Sequence, residues 1–213
     1  DKSIKLKLDY VPRPEGEHLL SIDSNNAGST LRVLRLYENM SGGILKIEGK
    51  HSADKGFIGH AQIRNFSIKN TPLLAKLLTV ASFKGMLDLL MGEGITFSHF
   101  DAPFEYVDKT LKIKDAKMFG NVIGFTASGK YNTSSEQLNL KGIISPAHSI
   151  NAFIGKIPLV GTALAGKDGS VITANYGIEG SLADPQIKIN PLSMFSPSSL
   201  KELFSSAFGE KDE

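Results

Sequence analysis

Alternation of apolar and polar residues runs through most of this chain and limits the folds that it can adopt. The stretch 4–10 reads Ile-Lys-Leu-Lys-Leu-Asp-Tyr, so every second side chain is apolar. Successive side chains of a β-strand point to opposite faces of the sheet, and the pattern therefore predicts a strand with one apolar and one polar face. The same alternation recurs at 111–114, 123–131, 138–144, 172–178 and 187–189.

Short polar segments separate these predicted strands. The segments 107–110, 131–135 and 181–185 carry Asp, Asn, Ser or Pro, which are typical of tight connections between strands. Short strands joined in this way favour a meandering antiparallel sheet.

The alternation changes phase within 95–106. Phe97 falls on one parity, whereas Phe100 and Phe104 fall on the other. A slip of one residue turns the side chains of a strand to the opposite face, so the sequence predicts a β-bulge near His99 or a break at Pro103.

Helical spacing is confined to a few segments. Thr71 can cap a helix whose first residue is Pro72, and leucines then repeat at helical spacing. We expect Gly85 to separate this helix from a second one at 86–91. A weaker helix is expected over 27–37.

In that weaker helix, Leu31, Leu34 and Leu36 are expected to face inward. Two further segments favour helix: the apolar stretch 150–165, which glycine and proline interrupt, and the amphipathic stretch 197–208.

The chain begins with Asp1 rather than Met, and we expect it to be part of a longer protein. No change of composition marks a domain boundary. We therefore expect one mainly β (α+β) domain over 1–208 with a few short helices, and a frayed tail at 209–213.

Composition excludes several classes of function. The chain has no cysteine, which excludes thiolate catalysis, disulfides and Cys-bound metals, and it has no tryptophan. The net charge is only +2 and the lysines are dispersed along the strands, which is typical of a solvated face and not of a nucleic-acid site. The best candidate for a membrane span, 72–91, is interrupted by charged residues, and a buried or interfacial helix fits it better.

Catalytic motifs are incomplete wherever they begin. The segment 161–167 starts like a phosphate-binding loop, but Asp168 stands where Ser or Thr should bind magnesium. The five histidines lack the spacing of a helical zinc site, and Ser128 lies within a predicted strand rather than at a sharp turn. We expect no enzymatic activity, no cofactor and no metal.

Three carboxylates near one predicted strand leave an alternative open. Asp101, Glu105 and Asp108 could perform acid–base chemistry, as in a hydrolase. On an alternating strand that ends in a turn, they are more typical of the polar face.

Several motifs occur in an order and spacing that resemble a known family. They are Asn26–Arg32, Met40–Leu45, Asn70–Leu78, Ala81–Gly85, Gly92–Phe97, Ile144–Ala147, Asn151–Gly161, Tyr176–Gly180, Asp184–Pro185 and Asn190–Leu192. On these residues the sequence resembles the AsmA-like C-terminal domain, the module near the end of YhdP-type envelope proteins. After Pro197 it departs from the family pattern, with Ser198 to Lys201 where the family has Gly, an apolar residue and Arg.

This resemblance implies a periplasmic protein that is tethered to the inner membrane by an N-terminal helix outside the present chain. It implies a curved sheet of the β-taco type with an apolar groove, and a role in phospholipid transport between the membranes and in outer-membrane integrity. The family has no catalytic residues to carry over. A non-enzymatic assembly or scaffold factor for outer-membrane proteins is the alternative, with apolar strand edges pairing with partner strands.

If the apolar faces form a groove instead of a closed core, its expected lining is Leu111, Ile113, Ile123, Phe125, Leu138, Leu140, Ile172, Tyr176, Ile178 and Ile187. Apolar helices are expected to close the groove or to rest against a membrane. Their residues are Leu74, Leu77, Leu78, Phe83, Leu87, Phe153, Ile157 and Leu159. The expected partner is phospholipid, with further contacts to a membrane surface or to envelope proteins, and not nucleic acid.

Overall fold

A ten-stranded antiparallel sheet forms most of the computed structural model, which describes residues 3–81, 83–146 and 174–190. Each strand pairs with the strands that precede and follow it in the chain, so the sheet is an open meander, as the alternation predicts. The strands are β1 (Leu6–Pro12), β2 (His18–Ser24), β3 (Met40–Ser52), β4 (Gly56–Ile68), β5 (Ile95–Val107), β6 (Thr110–Gly120), β7 (Ile123–Asn132), β8 (Gln137–Pro146), β9 (Ala174–Ser181) and β10 (Pro185–Asn190).

The register aligns the apolar positions of neighbouring strands. Ile113 on β6 is opposite Gly129 on β7, which is opposite Leu140 on β8, and Leu140 is in turn opposite Ile178 on β9. Directly paired residues lie on the same face of a sheet. The alternation within each strand thus becomes one continuous apolar face, with a polar face on the other side.

The predicted phase change in β5 is confirmed. The pairing of β5 with β6 shifts register between Phe97 and His99, and shifts again between Asp101 and Phe104. Residues three positions apart in a regular strand point to opposite faces. Because of the first shift, the side chains of Phe97 and Phe100 both lie on the apolar face. Phe97 is fully buried as a result.

Three short helices accompany the described part of the sheet: α1 (Ala27–Val33), α2 (Pro72–Val80) and α3 (Lys84–Met91). Helix α2 begins at Pro72, as predicted. Its division from α3 was predicted at Gly85, which is wrong. Helix α2 ends at Val80 and α3 begins at Lys84, so Gly85 lies in the first turn of α3. Glycine lowers helix propensity but does not by itself end a helix.

The prediction for α1 is only partly right. The helix ends at Val33, and Leu31 packs against the core. Leu34 and Leu36 do not face inward but are exposed, because Arg35 adopts a left-handed backbone conformation that ends the helix before either can reach the core.

The core lies between the helices and the apolar face of the sheet. All three helices connect strands at the same end, where Met40, Ile68 and Ile95 stand, and α2 reaches across to β10. This arrangement of an open sheet with helices on its apolar face is consistent with a β-taco-like fold. The predicted helices at 150–165 and 197–208 and the tail at 209–213 lie outside the described residues.

Candidate functional site

The apolar face of the sheet contains nine of the ten residues that sequence analysis assigned to a groove. The strand pairings place them side by side on β6 to β10, and Ile172 lies outside the described residues. The nine are Leu111, Ile113, Ile123, Phe125, Leu138, Leu140, Tyr176, Ile178 and Ile187. That they contact lipid remains a prediction.

Helices α2 and α3 lie on one end of this face. Leu74, Leu77 and Leu78 of α2 are buried against the sheet, whereas Phe83 and Leu87 are half-buried at the edge of the same core. Beneath them, Phe97 lies between Phe66 and Phe125. Its ring centroid is 5.4 Å from that of Phe66 and 6.3 Å from that of Phe125. The other three residues predicted for this role, Phe153, Ile157 and Leu159, lie outside the described residues.

A cavity remains between α2 and the sheet. It measures about 260 Å³, and almost all of its walls are apolar. Helix α2 forms one wall with Leu74 and Leu77, and β5 to β9 form the other. The sheet residues that line it include Phe100, Met118, Phe125, Leu140, Tyr176 and Ile178.

One polar contact fixes the wall of this cavity. The hydroxyl of Tyr176 donates to the backbone carbonyl of Thr126 over 2.7 Å, and burial raises the pKa of Tyr176 far above its ordinary value. Gly142 lies between the two strands involved, and a Cβ atom there would meet that hydroxyl at 2.7 Å. The carbonyl of Thr126 and the hydroxyl of Tyr176 therefore take the space that a side chain at Gly142 would need.

Away from the helices, aromatic rings cover glycines on the same face. A Cβ atom at Gly49 or Gly59 would meet the ring of Phe57 at 2.6 Å or 2.8 Å, and the Phe104 ring lies 5.4 Å from that of Phe57. Glycine in a strand often marks such a close approach. These rings extend the apolar face beyond the end that the helices cover.

The apolar face is uncovered at β1. Three β1 residues pair with β2 residues that in turn pair with Leu45, Ile47 and Gly49 on β3, so all of them lie on the apolar face. These β1 residues are Leu6, Leu8 and Tyr10, and the side chain of each is about half exposed. Within the described residues β1 pairs only with β2, so its outer edge is free. Among the residues that the structure describes, the helices therefore cover one end of the face, and the face is uncovered at β1.

The carboxylates that could have formed a catalytic group lie elsewhere. Asp101 is on the polar face, where it accepts hydrogen bonds from His60 (2.9 Å) and Gln62 (3.0 Å). Burial raises the pKa of Asp101, but these two hydrogen bonds and the charge interactions with His60 and His99 together outweigh it, and the pKa is below its ordinary value. Burial also lowers the pKa of the neighbouring His99.

The other two carboxylates, Glu105 and Asp108, have surroundings different from those of Asp101. Glu105 forms ion pairs with Lys112 and Lys114, and the hydrogen bond from Lys114 lowers the pKa of Glu105. Asp108 stands in the turn between β5 and β6. Among the described residues, no group of three or more metal-binding side chains could hold an ion.

Sequence reasoning assigned no groove residues to β3 or β4, although both contribute to the apolar face. On β4, Phe57, Gly59, Ala61 and Ile63 alternate with Ile58, His60, Gln62 and Arg64. Exposed Ile58 breaks the polar series, and Gly59 and Ala61 weaken the apolar one. Counting small residues as apolar would have found this strand.

Of three comparisons with known proteins, one finds a match for this chain. No curated protein matches it, and no solved structure matches it. In the part of the chain that the structure describes, no helix is both long enough and apolar enough to cross a membrane. The family model described as YhdP protein matches residues 27–187, which is more than half of the 213 residues. The chain therefore belongs to the YhdP protein family.

Proposed function

We propose that this chain is a periplasmic lipid-groove module that holds phospholipid acyl chains on the apolar face of its sheet. In this role it takes part in phospholipid transport between the inner and outer membranes and so supports outer-membrane integrity. The observation that carries the proposal is the apolar face itself, which in the described residues is open at β1 and lines an apolar pocket of about 260 Å³ beneath α2.

Energetics favour an acyl chain as the occupant. Exposing a chain to water costs about 0.8 kcal/mol per CH₂, so two ordinary chains carried bare would cost roughly 20 kcal/mol or more. A continuous apolar face removes most of that cost without requiring polar groups in a fixed geometry. The small polar content of the cavity walls supports this kind of ligand.

The cavity volume limits what the covered part can hold. Pockets for drug-sized ligands measure about 300–1,000 Å³, and the 260 Å³ here is below that range. The covered part therefore suits a segment of one acyl chain, and the remainder of a phospholipid would lie along the open face toward β1. In this proposal α2 and α3 close the groove at its β10 side.

A role in binding, with no catalysis, fits the polar face. Asp101 and Glu105 are both engaged by neighbouring side chains and face away from the cavity. We propose that the module is not an enzyme and that it is tethered to the inner membrane by a segment beyond the present chain.

Site-specific photo-crosslinking tests the groove. A crosslinker at Ile178 in the cavity, or at Leu111 on the same face, should capture phospholipid in cells, and native mass spectrometry of the purified protein should detect bound lipid. A crosslinker at Lys130 is the matched control, because Lys130 is exposed on the polar face of β7. Equal capture from Lys130, or no bound lipid by either method, would contradict the proposal.

The free edge of β1 favours a second candidate function. A strand with a free edge and half-exposed apolar side chains can pair with a strand of another protein. The module would then act as an assembly or scaffold factor for outer-membrane proteins. Crosslinks from Leu8 to protein, together with none from Ile178 to lipid, would favour this alternative.

A further inference from the structure

The turn that follows α1 exposes apolar side chains among arginines. Val33 is 78% exposed and Leu36 is 67% exposed, and Leu34 between them is about half exposed. Arg32 precedes Val33, and Arg35 stands between Leu34 and Leu36. We name residues 32–36 the Arg32–Leu36 turn.

Backbone hydrogen bonds hold this turn in one conformation. The amide N–H of Leu36 donates to the carbonyl of Leu31 over 2.8 Å, and the amide N–H of Arg35 donates to the carbonyl of Arg32 over 3.0 Å. These two bonds are those of a Schellman motif, which commonly ends a helix. The exposed side chains are thus presented by an ordered turn and not by a frayed helix end.

Two residues of this motif depart from its usual pattern. Arg35 has φ of 56°, a position that glycine usually occupies because a Cβ atom is unfavourable there. Leu36 stands where the motif usually provides an apolar contact with the residue at Leu31, but most of its surface is in solvent. The stability of the turn therefore explains neither an arginine at position 35 nor an exposed leucine at position 36.

The turn lies at the helical end of the sheet. The hydroxyl of Tyr37, the next residue, lies 2.7 Å from that of Thr71, which immediately precedes α2. Val80, Leu89 and Met91 of α2 and α3 are also exposed at this end of the molecule. Six exposed large apolar side chains, three from the turn and three from α2 and α3, thus lie at the end of the sheet that the helices cover.

We propose that the Arg32–Leu36 turn is a membrane-contact site for a bilayer that contains anionic phospholipid. Val33 and Leu36 insert below the headgroups, and Arg35 contacts the phosphates. Arg32, whose guanidinium lies 3.5 Å from the carbonyl of Met40, adds positive charge at the same site. The nearest following carboxylate, Glu38, is outnumbered by the two guanidinium groups, so the charge favours an anionic surface. This inference goes beyond the proposed groove, because it does not depend on lipid inside the cavity.

A lipid surface fits the turn better than a protein partner does. A stable protein interface usually buries about 800 Å² on each partner, which a turn of five residues cannot supply alone. A few apolar side chains flanked by cations are enough for reversible binding to a bilayer, where each adds to the partition free energy.

Vesicle flotation of the purified chain tests this site with two variants. Vesicles of phosphatidylcholine alone are compared with vesicles of equal parts phosphatidylcholine and phosphatidylglycerol. Arg35→Gly should weaken binding to the anionic vesicles about fivefold, while its melting temperature stays equal or rises. The double variant Val33→Ser/Leu36→Ser should weaken binding to both kinds of vesicle by about tenfold or more.

The matched control is Ile44→Ser/Ile58→Ser, which removes two similarly exposed apolar side chains from the polar face. This control should bind vesicles as the wild type does. Wild-type protein that does not float, or turn variants that bind as well as it does, would overturn the proposal. A change in sedimentation of the turn variants with unchanged flotation would also overturn it, in favour of a protein contact. If lipid still co-purifies with the wild type in these cases, the groove proposal stands alone.

Discussion

The hydroxyl of Tyr37 lies 2.7 Å from the hydroxyl of Thr71, and this contact joins the segment after α1 to the start of α2. Sequence analysis expected the Thr71 side chain to cap α2. Thr71 is the N-cap residue of α2, as predicted, but its hydroxyl binds Tyr37 and makes no capping hydrogen bond to the helix. The bond joins residues that are 34 positions apart in the sequence, and no local sequence pattern predicts it.

Replacing Tyr37 with Phe should lower the free energy of unfolding by about 1 kcal/mol, because the half-buried bond to Thr71 is lost. Urea unfolding of Tyr37→Phe, Thr71→Val and the double variant measures the coupling between the two residues. The double variant should be less destabilised than the sum of the single variants. Simple additivity would show that the hydroxyl contact contributes nothing to stability.

Gly142→Ala should destabilise the protein by about 2–4 kcal/mol. The new methyl group would clash with the carbonyl of Thr126 and displace the Tyr176 hydroxyl that donates to it. Gly177→Ala on the neighbouring β9 is the matched control, since nothing lies within 4 Å of a Cβ atom there. Thermal unfolding compares the two, and a similar loss for both variants would refute the close packing of Thr126 and Tyr176 around Gly142.

Filling the cavity should reduce lipid binding while the fold is kept. Leu140→Trp places a larger ring in the 260 Å³ space beneath α2, so less co-purified phospholipid is expected by mass spectrometry. Asn139→Trp serves as the control, because Asn139 is the adjacent residue of β8 and is exposed on the polar face. Undiminished lipid in a folded Leu140→Trp protein would argue that acyl chains do not enter this cavity.

Acidification should destabilise the fold through two groups on the polar face. His99 has a pKa lowered from its ordinary value of 6.5 by burial, and Asp101 has a pKa lowered from 3.8. In both cases the unfolded chain binds more protons than the folded one, so stability rises with pH.

The contribution of His99 is therefore present above about pH 6.5 and is lost as the pH falls through its lower folded pKa. That of Asp101 is present above about pH 3.8 and is lost at still lower pH. Urea unfolding at a series of pH values should show both losses. His99→Asn should remove the first and Asp101→Asn the second, and unchanged pH profiles in these variants would assign the effect to other groups.

The alternation predicted much of the sheet. It placed the apolar faces of β1 and of β6 to β10, and it located the irregularity in β5, because side-chain direction in a strand follows directly from position in the sequence. It did less well at β3 and β4, where small residues on the apolar face and Ile44 and Ile58 on the polar face obscure the period.

The helical segments were predicted less completely. Pro72 marked the start of α2, since proline suits the first position of a helix. The end of α1 was misplaced, because it depends on the left-handed conformation of Arg35. Helix α2 ends at Val80, before the glycine that was expected to divide it from α3. Leu34 and Leu36 were assigned to the core on spacing alone, yet the chain turns before they reach it.

The sequence by itself determined that this chain forms a sheet with one apolar and one polar face, since both follow from local period. Only the tertiary structure decided that α2 crosses this face to β10, that a cavity remains beneath Leu74 and Leu77, and that the face is left open at β1. These features depend on contacts between residues far apart in the chain. Such contacts are set by packing and register, which the period of a single strand does not encode.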